Sequence, residues 1–471
     1  MSQLVLRIFS NRVIEWHSDC IPPGVLPRSI FRQLVLAALF QTHMLPGVSQ
    51  TTPAVGEPSP PEASEISVAS EKKKPNAVRK LTLWEALRLA EENNPRLRVA
   101  EAERQVAEAS IITAKAYPNP TIGALAGPQY SMMSNAGRGP SGLLQGYNIT
   151  QPIELPSLRR ARREVAEKTL AGTDLGIQSA RLQVRGIVKQ TFYMVLRYER
   201  EVEVAEENLR LIEDLRRRIE TQVSVGEAAR LELVRAETEV ATARTVLRSS
   251  QLNRMTALAV LRSAIGAAPD EELQPVGNLS AHLPLPDLET LREGMLQRHP
   301  ALLQARANVA TAESKVKMEM VSRKPQPSLY ADYEHQPDLG FARVGIQIPL
   351  PIWNKREGPI AEAVAERNRL RAVHQVQETQ LTAELERAYG QYQVATQQLE
   401  SFQQGVLPEA EAALRAAEAA FRYGERGIIE VLDAQRVLRS VRFDYLNAQY
   451  DLQAALIDLE QLRAIDTVDH P

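Results

Sequence analysis

The sequence predicts a mainly α-helical protein with a small β part, built from a helix–hairpin–helix unit that occurs twice. Three observations predict this. The 471 residues are 44% hydrophobic and 24% charged but only 5% aromatic, a mix that favours long helices packed as coiled coils over a thick globular core. A set of short motifs recurs in order at one spacing. Four short segments alternate apolar and polar residues with a period of two, the pattern of strands with one apolar face.

The repeat is visible residue by residue. Asn94-Pro95 recurs as His299-Pro300, each after a short amphipathic helix, Trp84–Glu92 and Leu288–Gln297. Tyr117-Pro118-Asn119-Pro120 recurs as Lys324-Pro325-Gln326-Pro327, and Ile149-Thr150-Gln151-Pro152-Ile153 as Ile346-Gln347-Ile348-Pro349-Leu350. Val225-Gly226-Glu227 recurs as Tyr423-Gly424-Glu425, followed in register by Leu233, Val234 and Ala236 against Val431, Leu432 and Ala434. All offsets lie between 197 residues (Ile149 to Ile346) and 207 residues (Tyr117 to Lys324).

In chain order, residues 1–48 read as a leader. Arg28 and Arg32 precede the apolar run from Leu34 to Phe40, which has signal-peptide length and is too short to span a bilayer. Its late position suggests a translation start near Val25, which N-terminal sequencing would test. Residues 49–80, rich in Pro, Ser, Glu and Lys, read as a disordered linker. The first repeat then occupies 81–285, with strands expected at 121–130 and 143–153. The second occupies 286–464, with strands at 327–335 and 340–350, and 465–471 is a tail. Residues 156–222 and 354–423 each predict a near-continuous helix, the second after an unsettled first turn at Gly358-Pro359; each would be roughly 100 Å long at 1.5 Å per residue. Two shorter helices per copy, 96–117 and 228–264 in the first, would span roughly the same distance end to end. In the last helix Val431, Leu438, Tyr445, Leu452 and Leu459 recur every seven residues, with Ala434, Val441, Ala448 and Ala455 three places on, a heptad seam.

The alternating segments decide between a tube and a rod. Ile122, Ala124 and Ala126 oppose Thr121, Gly123 and Gly127, although Leu125 breaks the rule; Tyr147, Ile149 and Ile153 oppose Asn148 and Thr150. Leu329, Ala331 and Tyr333 oppose Tyr330, Asp332 and Glu334, and Val344, Ile346 and Ile348 oppose Arg343, Gly345 and Gln347. This is the pattern of membrane-barrel strands, and taken in isolation it is equally that of four strands in a small soluble sheet. Four strands cannot close a water-filled barrel, and lipid tolerates no open edge, so a membrane role requires strands pooled between copies. Sequence alone does not fix the copy number.

These motifs resemble the TolC family of outer-membrane efflux proteins over about residues 81–464. Thr150-Gln151-Pro152-Ile153-Glu154-Leu155-Pro156 is most similar to the heavy-metal efflux branch, the CzcC and CusC proteins. The resemblance implies a homotrimer with a long coiled-coil α-barrel in the periplasm and a 12-stranded transmembrane β-barrel. It also implies outer-membrane lipid around that barrel, a periplasmic adaptor and an RND-type inner-membrane pump as partners, and no catalytic centre or cofactor. The family's gate arginine falls on Arg426, its two following acids on Glu430 and Asp433, and the acidic partner of the first copy on Glu232. The family's nearby tyrosine falls on Phe421, which removes a hydroxyl, and aspartate has become glutamate at 430 and 232. The adaptor-docking turns fall on Val225, Gly226 and Glu227 and on Tyr423, Gly424 and Glu425. The three gate acids also stand in the first turns of helices, where the helix dipole stabilises acids for structural reasons alone.

The sequence offers no enzyme signal: no HExxH, no P-loop, no Cys/His cluster. The seven histidines (17, 43, 282, 299, 335, 374 and 470) are scattered, Cys20 reads as an incidental leader residue, and Met132, Met133 and Met255 as packing or loop filler. A net charge of −2 argues against nucleic acid. Two alternatives remain open: a multidrug or type I secretion channel, and a coiled-coil scaffold that never enters a membrane.

Overall fold

The computed structural model describes residues 79–129, 142–279 and 285–464. The leader, most of the linker, the tail, Cys20, Tyr130, Met132, Met133 and four of the seven histidines (17, 43, 282 and 470) lie outside them.

Each copy opens with a capped short helix. In α1 (Leu83–Asn93), Thr82 accepts from the Glu85 N–H while the Glu85 carboxylate accepts from the Thr82 N–H, a reciprocal cap. Asn94 then caps α2 (Pro95–Lys115), whose first residue is proline, the one position where its missing N–H costs nothing. Asn94 Nδ2 also donates to the Ala264 carbonyl at 2.7 Å, tying the start of α2 to a residue 170 positions further along the chain. The second copy repeats the device: Asp287 caps α5 (Leu288–Arg298), and His299 caps α6 (Pro300–Ser322), with Pro300 leading.

The first long helix, α3 (Pro156–Ser224), runs unbroken for 69 residues. Its glycines are contact points: a Cβ at Gly176 would strike Gln304 of α6, and one at Gly186 would strike Gln461 of the chain's last helix. Val225 and Gly226 turn the chain into α4 (Arg230–Ile265). The second long element departs from the expected continuous helix over 354–423. It begins only at Glu357 as α7 (Glu357–Ser401), passes through one π-helical turn at Phe402–Val406, and resumes as α8 (Leu407–Arg422). Pro408 accounts for the break: it has no N–H to give, and its ring crowds the carbonyl four residues back, at Gln404. A wider turn absorbs the misfit without ending the helix. The last helix is α9 (Ile428–Arg463), on which Val431, Leu438, Leu452 and Leu459 of the heptad seam are buried.

Two sheets complete the fold. Strand β1 (Arg79–Leu81) pairs in parallel with β4 (Leu273–Pro275), so Arg79 and Lys80, assigned to the linker by composition, are sheet residues. Neither three-residue strand has a length or pattern that sequence can register; their pairing joins positions 194 residues apart. The larger sheet is antiparallel in the order β2 (Thr121–Gln129), β3 (Gly142–Pro152), β5 (Ser328–His335), β6 (Gly340–Gln347). Strand β6 stops three residues before the expected position 350, where Pro349 and Pro351 withdraw ladder donors.

Register aligns Ile122, Ile149, Ala331 and Val344 in one row and Ala124, Tyr147, Tyr333 and Ala342 in the next on that face. The opposite face aligns Gly123, Asn148, Asp332 and Arg343, with Arg343 paired to Asp332 at 2.7 Å and Glu334 at 3.0 Å. Leu125, the residue out of pattern, lies over Gly146, whose missing side chain leaves it room. Strands β2 and β6 have open outer edges.

Helix α3 packs against α2 and α4 of its own copy and against α6 and α9 of the other; α7 packs against α6 and α9. Phe192, Val188, Leu261, Ile265 and Leu81 form one apolar cluster where α1, α3, α4 and β1 meet. Ile212, Ile219, Val240, Leu414, Ile428, Val431 and Leu438 form another near the turns that end α3 and α8. The hairpins join the opposite ends of the long helices, so connectivity places the larger sheet and the two turns at opposite ends of the molecule.

Candidate gate at the helical tip

The tip consists of two equivalent turns. Gly226 (φ 82°) and Gly424 (φ 73°) adopt the left-handed conformation that closes a helix. The Glu227 N–H returns to the Gln222 carbonyl at 2.8 Å, and the Glu425 N–H to that of Ala420 at 2.9 Å. Neither glycine has a neighbour within reach of an added Cβ, and Val225 and Tyr423 are 64% and 78% exposed. Both turns therefore present backbone and a bulky side chain to whatever meets them.

Arg426 lies 3.8 Å from Glu430, one helical turn away and largely exposed. Asp433 lies 3.2 Å from Arg436. Glu232 is half-buried in the first turn of α4, its N–H bonded to the Ala229 carbonyl. Among the described residues no ion pair joins Glu232 to Arg426, so the four sequence-derived gate residues form two separate groups and a lone acid within one chain. Phe421 packs into the apolar cluster of the tip, where a phenol would have placed its hydroxyl.

A tighter network lies just above these residues. The Glu239 side chain, on α4, is 3% exposed and accepts from Arg436 Nη2 at 2.7 Å and Nε at 3.0 Å; Arg439 Nη1 lies 3.5 Å from its other oxygen. Arg442, one turn on, reaches Glu207 of α3 at 3.0 Å and Glu411 of α8 at 3.5 Å. These residues were missed from sequence. The available signal is the spacing 436, 439, 442, which sets three guanidiniums along one flank of α9 beside its heptad seam. The carboxylate held by Arg436 keeps its guanidinium protonated above the ordinary arginine range.

Farther up α9, Asp444, Asp451 and Asp458 stand at seven-residue intervals in the same heptad phase as Glu430. They line the groove between α7 and α9, where hollows of about 570 and 630 Å³ open beside Asp444 and Asp451 and beside Asp451 and Asp458. Burial raises the carboxyl pKa of Asp451 and of Asp458, the latter opposed by a 2.7 Å hydrogen bond donated by Gln190. Among the described residues no group of three His, Cys, Asp or Glu side chains is placed to hold a metal, and no helix is long and apolar enough to cross a membrane. Met255 is exposed, and His299 is a buried helix cap with its pKa lowered by burial.

The family model described as "Outer membrane efflux protein" matches residues 86–267 and 291–464. The cobalt-zinc-cadmium resistance protein CzcC of Cupriavidus metallidurans is 28% identical over 368 residues, covering 78% of this chain and 86% of that one. The solved structure of CusC superposes with a TM-score of 0.68 at 20% identity, over 81% of this chain and 91% of the other. That of the outer-membrane channel OprN gives 0.70 at 18% identity, over 81% and 89%.

Proposed function

The chain belongs to the outer membrane efflux protein family, transport ducts of the outer membrane, and from that premise we propose that it is the trimeric exit duct of a three-part efflux system for divalent metal cations. The observation that carries the reading is the four-stranded sheet with both edges open, one face apolar and the other polar. Unpaired backbone groups cost several kcal/mol each in hydrocarbon, so β2 of one copy must meet β6 of another for the sheet to enter a bilayer. Three copies give twelve strands, with the Asp332, Glu334 and Arg343 face turned to water and the Ile122, Ile149 and Val344 face to lipid. The helices then line a periplasmic tunnel whose tip turns meet an adaptor, and through it an RND-type pump in the inner membrane.

The tunnel performs no chemistry. Closure at the tip is a matter of which polar links hold the inner helices together, and Arg426, Glu430, Asp433 and Glu232 are the links that adjacent copies would share. Cation cargo is supported by the acidic stripe Asp444, Asp451 and Asp458, and by the metal-resistance relative. Rings of carboxylates favour cations in a pore.

Two measurements test this. Detergent-extracted outer membranes should yield a heat-labile oligomer of three chains that forms pores in planar bilayers; a soluble monomer or dimer returns the protein to the coiled-coil scaffold class. A deletion strain should lose tolerance to cobalt, zinc or cadmium; loss of drug tolerance alone would make the duct a multidrug component.

A further inference from the structure

We infer that Glu239 is the positioning residue of the closed tip, a latch that pins α9 of the second copy to α4 of the first. The inference rests on the gated-duct reading above, and neither Glu239 nor Arg436 is among the residues that the family resemblance supplied.

Three observations lead to it. First, the link has a buried carboxylate where the assigned gate pair has none: the Glu239 side chain is 3% exposed beneath a half-exposed Arg436 at 51%, against 68% and 45% for Arg426 and Glu430. A desolvated carboxylate gripped by one guanidinium through two nitrogens and approached by a second is held in place, whereas salt screens an exposed pair one turn apart. Second, the link joins helices that are not covalent neighbours. Glu239 lies nine residues into α4 and Arg436 eight into α9, so each is roughly 12–14 Å above its turn. Arg436 also holds Asp433, so one guanidinium connects an assigned gate acid of the second copy to the first copy.

Third, the latch is not a property of the repeat. At the tip offset of 198 residues, defined by Gly226 and Gly424, Glu239 corresponds to Val437 and Arg436 to Thr238. Val437 is 56% exposed, so each tip forms its own turn without such a link. A feature present once in a duplicated fold, and bridging the copies, serves their relative position and not the folding of either.

Removing the carboxylate takes away the acceptor that α4 offers to Arg436 and Arg439, both of which stand on α9, so the attraction that draws α9 to α4 at this level is lost. A displacement of α9 carries the tip with it, since Ile428, Val431 and Leu432 of the same helix form the apolar cluster below.

The experiment uses the full-length protein extracted from outer membranes and reconstituted singly into planar bilayers. Glu239→Gln, which keeps the side-chain volume, is expected to raise the mean conductance or open fraction several-fold over wild type. Arg436→Lys, which keeps the charge but gives up the two-nitrogen grip, should fall between the two. The double variant Glu239→Gln/Arg436→Gln should open no further than Glu239→Gln alone, because both act on one link. Raising salt should open wild type little, since the carboxylate of the latch is buried.

Wild-type conductance in both Glu239→Gln and Arg436→Lys, with the oligomer intact, overturns the latch and leaves the duct standing. A lower melting temperature with unchanged conductance assigns Glu239 to stability alone and equally overturns it. Wild type forming no pores at all sinks the duct reading, and the latch with it.

Discussion

The two copies of the repeat share their tip turns and the capped starts of their short helices, yet they differ in stiffness and charge. The first copy's long helix runs 69 residues without interruption, while the second's is broken by a π turn above Pro408. At the tip offset of 198 residues, Pro408 corresponds to Arg210, an exposed residue in an unperturbed turn of α3. The acidic stripe is equally one-sided: Asp444, Asp451 and Asp458 of α9 correspond to Val246, Asn253 and Val260 of α4. Duplication thus supplied the wall, and later divergence gave the second copy both a point of give and the charge. A wall with one stiff and one yielding half yields first at the second, so the gated-duct proposal assigns any opening of the tip to α8 and α9.

The largest expected effect comes from placing the break in the stiff copy. Arg210→Pro removes a backbone bond and crowds the Glu206 carbonyl in mid-helix, for about 3 kcal/mol or more. Arg210 is 79% exposed, so little packing is lost with it. Denaturant unfolding should show the full cost. If α3 instead took up a π turn as cheaply as the second copy does, the loss would be under about 1 kcal/mol and the contrast between the copies would vanish.

Next come the two turn glycines, where the copies should behave alike. Gly226→Ala and Gly424→Ala each force a Cβ into a left-handed residue, at about 1–2 kcal/mol, with no clash added because no atom lies near either position. Equal losses in thermal melts would confirm that the tips are equivalent as structures. A larger loss in one would show that its turn is held by contacts that a single chain does not contain.

How far the sequence reads into this fold follows from distance along the chain. The repeated motifs, the Asn94-Pro95 and His299-Pro300 helix entries and both tip glycines are local features, each set by residues within a turn or two, and all were legible. The π turn was legible in principle, since Pro408 stands in plain view, but the apolar period on either side of it hides the break. Strands β1 and β4 were not legible, being three residues long and dependent on a partner far away. Nor was the latch: Glu239 meets Arg436 and Arg439 across 197 and 200 residues, and on a helix rich in acids nothing local marks one carboxylate as buried. The family resemblance drew attention to exposed tip residues and away from the buried ones above them.

A pH test separates the two copies by charge. Burial raises the Asp451 carboxyl pKa above its unfolded value, so the folded chain binds its proton more readily than the unfolded chain does. The sign follows: burying this carboxylate destabilises the fold fully above the folded pKa, and the penalty disappears as pH falls to the unfolded value of about 4. Asp451→Asn should therefore melt higher than wild type at neutral pH and level with it near pH 4. Val246→Asn at the matching heptad phase of the first copy should show no such convergence. A gain in Asp451→Asn that persists at low pH would locate the effect in packing.

The smallest effect expected is at the residue the family resemblance ranked first. Arg426 and Glu430 form a one-turn surface pair at 3.8 Å, and exposed pairs of that kind contribute roughly 0.3–0.5 kcal/mol. Arg426→Ala should leave the melt of the isolated chain almost unchanged, because among the described residues the guanidinium pairs with Glu430 alone. If it loosens the tip of the oligomer, it does so through a neighbouring copy, and the effect should shrink as ionic strength rises, as an exposed contact must. A salt-insensitive opening in Arg426→Ala would mean that the arginine is buried on assembly, and would move the seat of closure from α4 and α9 of one chain to the seam between chains.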